Sequence, residues 1–543
     1  MKKLLTSILV VVLLLTGAVA IFAACDTTDY DNTIVFYTQQ NDNLQKITAT
    51  AIAKFEAKYP GWKVDHQYIS NGYTGVKTKV INTLSSKKQP DLAYCYADHV
   101  AMYMRSKKVI DISTIINSKD SIKGKEVTWN ADAGKWEEGA DASYAVGYTD
   151  AEMANFVPAF LAEGYGKNFT GANNYGYGDE SLLMMPFVKS TEAMFYNETA
   201  LRWIITELKY QNRTSDLALF SKDGGETVFV PRTWHDLFAQ AEVVNEFFPK
   251  VTLLGYDSEA NWFITESERQ GWGYTSVEAN NHYLFANPAA STWLDYLGGL
   301  EGLNQDNLIT TQQMSGGAYT SNLFKQGVGT LEDGSIVDNG TGGGVLYCVG
   351  STGGATNQET EAFTWGVSNV PGSYVGTWTK SNGNFTFNYK STSGYTLKNY
   401  ETLVDGKIVS DIAISQGPSL VMLRSDKAKD PDLKAKMTFL FMKELYDPQI
   451  QSAISQEQGY SPCILNTATA IPSYQDFLDD TTNIKALAVA LSNRLATNNM
   501  TFVSPAFVGS SDARDQVGNA MQFVLEAIST GTDALNTAKS NCP

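Results

Sequence analysis

The sequence predicts an α/β protein of at least two lobes, and three observations predict it. Between Ile34 and Tyr96 the pattern alternates strand, helix, strand, helix, strand, which implies a parallel sheet with right-handed crossovers. Beyond the N-terminal segment about 520 residues remain, more than one hydrophobic core usually organises. After that segment no stretch is long and apolar enough to span a bilayer, so no second membrane span is expected.

The chain opens with Met1-Lys2-Lys3, a short positive region, and continues from Leu4 to Ala24 in almost wholly apolar and small residues. Such a run is removed from fold reasoning as a targeting segment. It ends in Phe22-Ala23-Ala24-Cys25, which resembles a bacterial lipobox, with Phe22 departing from the usual aliphatic residue. The resemblance implies a signal peptide over residues 1–25, lipidation at Cys25 and a polar tether over residues 26–32. An uncleaved anchor helix or ordinary secretion are the alternatives, and all three put the bulk of the chain outside the cytoplasm.

Ile34-Val35-Phe36-Tyr37 reads as the first buried strand. Leu44, Ile47, Ala51 and Phe55 then recur at helical spacing until Pro60-Gly61. Trp62 to Ile69 is β-rich, Val76, Val80 and Leu84 mark a second helix, and Asp91 to Tyr96 a third strand. In parallel sheets ligands sit beyond the C-terminal strand ends, here Gln39-Gln40-Asn41, Ser70-Asn71-Gly72 and Tyr96-Ala97-Asp98. Residues 119–180, rich in Gly, Asn, Asp and Tyr, read as an insertion that decorates the surface. Leu182 to Asn197 returns to strand character, and Thr233-Trp234 opens a helix through Val244. The Gly340–Gly344 run reads as a flexible turn. Asp430-Pro431 starts a helix, with Pro at its first position and Leu433, Met437, Leu440, Phe441 and Leu445 on its buried face. A last amphipathic helix carries Val517, Met521, Val524, Leu525 and Ile528 and ends near Gly531. No internal repeat is evident.

Composition excludes several functions. Lys plus Arg number 41 against 58 Asp plus Glu, a net charge of −17. Such a chain repels phosphate backbones and has no dense basic cluster, so nucleic acid is not an expected partner. Cys95, Cys348, Cys463 and Cys542 stand far apart without a C-x-x-C pair and read as free thiols, with one long-range disulfide left open. His66, His99, His235 and His282 stand singly, no metal motif or P-loop occurs, and Gly417-Pro418-Ser419 lacks the closing glycine of a nucleophile elbow. No metal, cofactor or enzymatic activity is expected. A glycan hydrolase would need two carboxylates at a measured separation, which a sequence does not give.

Six segments in order resemble the extracellular solute-binding protein family typified by maltose- and glycerol-3-phosphate-binding proteins. They are Phe55-Glu56 with Tyr59-Pro60-Gly61-Trp62-Lys63-Val64; Gln89-Pro90-Asp91-Leu92 with Tyr96-Ala97-Asp98-His99; Pro186 to Glu192 with Phe195-Tyr196-Asn197; Arg232-Thr233-Trp234-His235-Asp236-Leu237; Gly350-Ser351-Thr352-Gly353-Gly354; and Gly459-Tyr460-Ser461-Pro462. The resemblance implies a two-lobe periplasmic-binding-protein-like fold with crossing hinge strands. Lobe one would comprise residues 33–188 and 410–460, and lobe two residues 189–409 and 461–543.

It also implies a monomer, anchored on the extracytoplasmic face, that captures a small-molecule carbohydrate and delivers it to ABC permease subunits. Sugar sites combine flat aromatic faces with planar polar groups. On that chemistry the resemblance makes Asp98 the cleft carboxylate and Trp262 the stacking aromatic of lobe two. Ser190, Ser351 and Gly353 would add hydroxyl and backbone contacts, with Tyr96 and Tyr460 as walls. Gln39 and Asn41 follow from the strand-end rule. The alternative ligand is a phosphorylated polyol such as glycerol-3-phosphate, with charge from Lys189 and Arg424; a surface glycan hydrolase or adhesin is the third reading.

Overall fold

The computed structural model describes residues 30–543 except 87, 131, 278–281, 304–306, 333–334 and 338–343. The signal peptide, Cys25, most of the tether and residues 340–343 of the glycine run lie outside the described residues. Among the described residues no helix is long and apolar enough to cross a membrane.

Two five-stranded mixed sheets organise the chain. In the first, Thr33–Thr38 lies between the parallel strands Lys63–Tyr68 and Leu92–Cys95. Ser419–Met422 runs antiparallel beside Leu92–Cys95, and Met185–Pro186 closes the sheet. In the second, Thr252–Tyr256 lies between the parallel strands Ile309–Thr310 and Val345–Ser351, Glu192–Asn197 runs antiparallel beside the latter, and Trp365–Asn369 closes the sheet. The layout is therefore the same twice over, three parallel strands followed by an antiparallel one contributed from a distant part of the chain.

Each sheet is buried by helices whose apolar spacing the sequence displays. Asp42–Lys58 buries Leu44, Ala51 and Phe55, and the Asn41 side chain caps it by accepting from the Leu44 amide at 2.9 Å. Asp91, of the Pro-Asp segment, is buried. Its carboxylate accepts from the Val35 amide at 2.8 Å and pairs with Lys434 at 3.0 Å, which ties the first strand to the Pro431–Leu445 helix. That helix is capped by Asp430 and buries Met437, Leu440, Phe441 and Leu445, while Leu433 in its first turn is exposed.

Several expectations are corrected. The Trp234 helix stops at Ala239, and a second runs Ala241–Phe247. Gln240 between them is fully buried, accepts from the Tyr347 hydroxyl and donates to the Leu219 carbonyl, which fixes the break. The last amphipathic helix, Ser510–Leu525, ends before Ile528, which is exposed, and a further helix covers Gly531–Asn541. Cys463 and Ile464 pack in the first lobe's core beside Phe156 and Phe187. Cys95, Cys348, Cys463 and Cys542, by contrast, are free, as their spacing implies.

The insertion divides in two. Ser121–Asn130 and Lys135–Ala145 form an exposed hairpin, whereas residues 156–177 turn inward, burying Phe156, Phe160, Phe169 and Tyr177. The aromatic stretch 374–400 includes a second hairpin, Gly376–Ser381 with Asn384–Tyr389, docked on helix Pro288–Leu303 by Trp378 stacked on Tyr296.

Candidate ligand-binding cleft

The two sheets are joined by crossing segments. Val188–Lys189 pairs antiparallel with Ser461–Pro462. Ser190 and Gln416 exchange two main-chain hydrogen bonds, of 3.0 and 2.8 Å. Ala413–Ile414 pairs with Thr501–Phe502. Beside these segments lies a cavity of about 730 Å³, lined from both sheets.

Strand ends position its walls. Tyr96, Ala97 and Asp98 follow Leu92–Cys95; Asp257 and Ser258 follow Thr252–Tyr256; Val349, Gly350 and Ser351 end the strand beside it. Asp98 sits in the first turn of helix Ala97–Tyr103, where the helix dipole favours a carboxylate. Its nearest ion-pair partner among the described residues is the His99 Nε2 at 3.8 Å. Burial lowers the His99 pKa, and its ring faces the Tyr96 amide, so His99 is part of the turn and not a source of charge.

Lobe two contributes a connected polar wall. Glu192 accepts from the Tyr256 hydroxyl and from the Asn261 amide at 2.6 Å, and Asn261 in turn accepts from the Arg514 guanidinium. Asp257 accepts from the Thr320 amide at 2.9 Å. Burial pushes the Glu192 and Asp257 carboxyls above their ordinary range, against the pull of these hydrogen bonds. Arg514 pairs with no carboxylate within ion-pair distance among the described residues. The Tyr274 hydroxyl beside it is buried without a hydrogen-bond partner among the described residues. Tyr319 also lines the cavity, and its ring is 56% exposed.

The hinge side holds a buried ion pair. Glu163, from the inward half of the insertion, accepts from the Lys189 ammonium and from the Ser415 hydroxyl at 2.6 Å, and all three line the cavity. The insertion therefore contributes to the cleft, contrary to the expectation that it only decorates.

Of the residues singled out from the sequence, Tyr96, Asp98 and Ser351 lie on the cavity wall. Trp262 does not. It is 3% exposed and packs on both Trp234, at 4.7 Å, and Tyr256, at 5.1 Å, in the second core. Successive residues of a helix point about 100° apart, so Asn261 and Ile264 face the cavity while Trp262 is turned into the core. Gly353 and Tyr460 meet each other instead: a Cβ at Gly353 would lie 2.4 Å from the Tyr460 ring. Ser190 is buried in the crossing segment, Asn41 is a helix cap, and Gln39 is half-buried off the cavity wall. Arg424 pairs with Asp432 at 2.7 Å on the surface, and Lys189 is engaged by Glu163.

Sequence reasoning missed Glu163, Asp257, Asn261, Tyr274, Tyr319 and Arg514. The strand-end rule, extended to the Thr252–Tyr256 strand, finds Asp257. Nothing local marks Arg514, which reaches the cleft only because its helix packs on Glu259–Gln270.

A family model described as bacterial extracellular solute-binding protein matches residues 50–480. No curated sequence matches. Among solved structures, the fold is shared with the GacH receptor of Streptomyces glaucescens, solved unliganded and with acarbose, at 14% identity and a TM-score of 0.58, covering 94% of this chain and 96% of that one. It is shared with UgpB of Mycobacterium tuberculosis in complex with glycerophosphocholine, at 13% identity and a TM-score of 0.60, covering 94% and 96%. An ABC substrate-binding protein of Listeria monocytogenes in complex with cycloalternan matches at 14% identity and a TM-score of 0.56, covering 94% and 97%.

Proposed function

This chain belongs to the bacterial extracellular solute-binding protein family, and from that premise we propose that it is the lipid-anchored receptor of an ATP-driven importer for an oligosaccharide or similar polyol. The observation that carries this reading is the cavity of about 730 Å³ between two sheets, lined by carboxylates, amides and tyrosine faces. Its size lies in the upper part of the roughly 300–1,000 Å³ range of small-molecule sites. The lobes divide at the crossing segments, and the ligand is held between them.

The walls supply what a saccharide needs. Asp98, Asp257, Asn261 and Gln416 offer planar acceptors and donors for hydroxyls, and the Tyr96, Tyr274 and Tyr319 rings offer faces for the apolar side of a pyranose. Among the described residues four acids, Asp98, Glu163, Glu192 and Asp257, line the cavity against two cations, Lys189 and Arg514, and Lys189 is committed to Glu163. The remaining field is negative, which favours an uncharged ligand. A phosphorylated polyol is the second reading. Arg514, with no carboxylate in ion-pair range among the described residues, is the feature that favours it, and the solved structure in complex with glycerophosphocholine is consistent with it.

Anchoring rests on Ala23-Ala24-Cys25. Mass spectrometry of the mature N-terminus should find an acylated Cys25, and an unmodified N-terminus at another residue refutes the anchor. For the ligand, isothermal calorimetry across neutral oligosaccharides and glycerol phosphates should find saturable binding of a neutral sugar. Asp98→Asn should weaken it ten- to a hundredfold, since a hydrogen bond to a charged group contributes about 1.5–3 kcal/mol. Saturable binding of glycerol phosphates alone selects the second reading, and turnover of a glycan refutes both.

A further inference from the structure

Residues 503–507 join the two lobes once more, leading on from Phe502, whose carbonyl accepts from the Ser415 amide at 2.8 Å on a crossing segment. Val503, Ser504, Pro505 and Ala506 line the cavity. Ala506 accepts from the Thr170 amide at 2.9 Å and donates to the Asn168 carbonyl at 3.1 Å, a parallel bridge to Phe169 of the insertion. Both Phe169 and Ala506 are buried in a lobe-one cluster with Ala172, Tyr177 and Met184.

The next residue belongs to the other lobe. Phe507 stacks on His282 at 4.5 Å and meets Tyr283 at 5.6 Å. Gly509 then turns at φ +110, where any Cβ would lie 2.6 Å from the Tyr283 hydroxyl, and helix Ser510–Leu525 begins. That helix approaches lobe one again, where Lys77 Nζ donates to Ser511 Oγ at 3.2 Å and helix Ala97–Tyr103 lies against it.

We propose that this strap is a latch: its bridge to the insertion holds the lobes together over the cavity, and ligand enters and leaves when the bridge opens. The covalent crossings at Lys189 and Gln416 allow the lobes to rotate about them, and only contacts away from them resist that rotation. The strap is such a contact, made of two hydrogen bonds and one buried alanine. It is therefore strong enough to bias the equilibrium and weak enough to open. The latch concerns the conformational balance of the ligand-free protein, so it stands or falls apart from the identity of the ligand, although the idea of a closing cleft rests on the proposed function.

The test uses the full chain without ligand. A Phe169→Cys/Ala506→Cys pair, directly opposite across the bridge, is close enough for a disulfide. Small-angle scattering should give the smallest radius of gyration for the oxidised pair, a larger one after reduction, and the largest for Ala506→Pro, which removes the amide that donates to Asn168. Ligand exchange, followed with whichever saccharide the calorimetry identifies, should slow at least tenfold in the oxidised pair and recover on reduction. Equal radii in all forms overturn the latch, as does exchange at the wild-type rate in the oxidised pair. Should Ala506→Pro fail to fold, the oxidised and reduced forms of the cysteine pair decide the question alone.

Discussion

Trp262 shows what a single residue reveals and conceals. An aromatic residue beside asparagine on a polar helix suits a sugar platform and a core equally, and only the direction of its side chain separates the two. That direction is set by the neighbouring turn of helix and by the Trp234 and Tyr256 rings that receive it, none of them readable from local spacing. Trp262→Ala should lower the stability of the ligand-free protein by ~3 to 5 kcal/mol, the cost of a buried aromatic, as measured by urea unfolding. A variant as stable as wild type would return Trp262 to the list of ligand contacts. Asp98 was legible because the strand-end rule needs only one buried strand and an acid after it, whereas Arg514 was hidden because no rule of spacing connects it to Asn261. A second residue makes the protein sensitive to acid. Burial holds the His66 pKa near about 4, down from 6.5, partly opposed by Asp65, and Thr38 Oγ1 lies 2.8 Å from its Nε2. Between pH 6.5 and 4 the unfolded chain therefore binds more protons at this site, and stability falls as pH drops through that window. The full effect is roughly 3 kcal/mol. His66→Gln should flatten that part of the stability–pH curve relative to wild type.

At the scale of elements, the inward half of the insertion is the least predictable part and the most consequential. Its weak periodicity reflects short helical turns, Pro158–Ala162, Gly166–Asn168 and Ala172–Tyr175, with no long amphipathic face to read. The first two helices were legible because each buries a regular stripe, Val76 and Val80 in one case and Ala51 and Phe55 in the other. Glu163 gives the insertion its grip on the hinge, touching Lys189 on one crossing segment and Ser415 on the other. A buried pair adds little net stability over an apolar one, but breaking it strands a charge. Glu163→Gln should therefore destabilise the protein by about 3–5 kcal/mol, and Lys189→Met in the same background should recover most of that. Unfolding curves in which the double variant is no better than Glu163→Gln would show that the pair is not a stability element.

For the molecule as a whole, the repetition of one sheet order in both lobes escaped the sequence because what repeats is strand position, and any buried residues of suitable shape satisfy it. Each lobe has its own main core, one built on Phe36, Phe441 and Tyr446 and the other on Trp234, Trp262 and Leu346. Separate cores joined by a hinge are free to unfold in separate steps, and a ligand touching only one lobe would stabilise only that lobe's step. The cavity, however, takes Asp98 and Tyr96 from one lobe and Asp257, Asn261 and Arg514 from the other. A ligand seated there binds only when both lobes are folded, so linkage applies to the pair. At a hundredfold excess over Kd it should add about 2.7 kcal/mol, and in scanning calorimetry that gain should move both lobes to higher temperature together. The radius of gyration should fall at the same time, since the ligand adds its contacts to those of the strap. A bound sugar that raises one transition and leaves the other and the radius unchanged would place the site within a single lobe, and the interlobe cleft would lose its role.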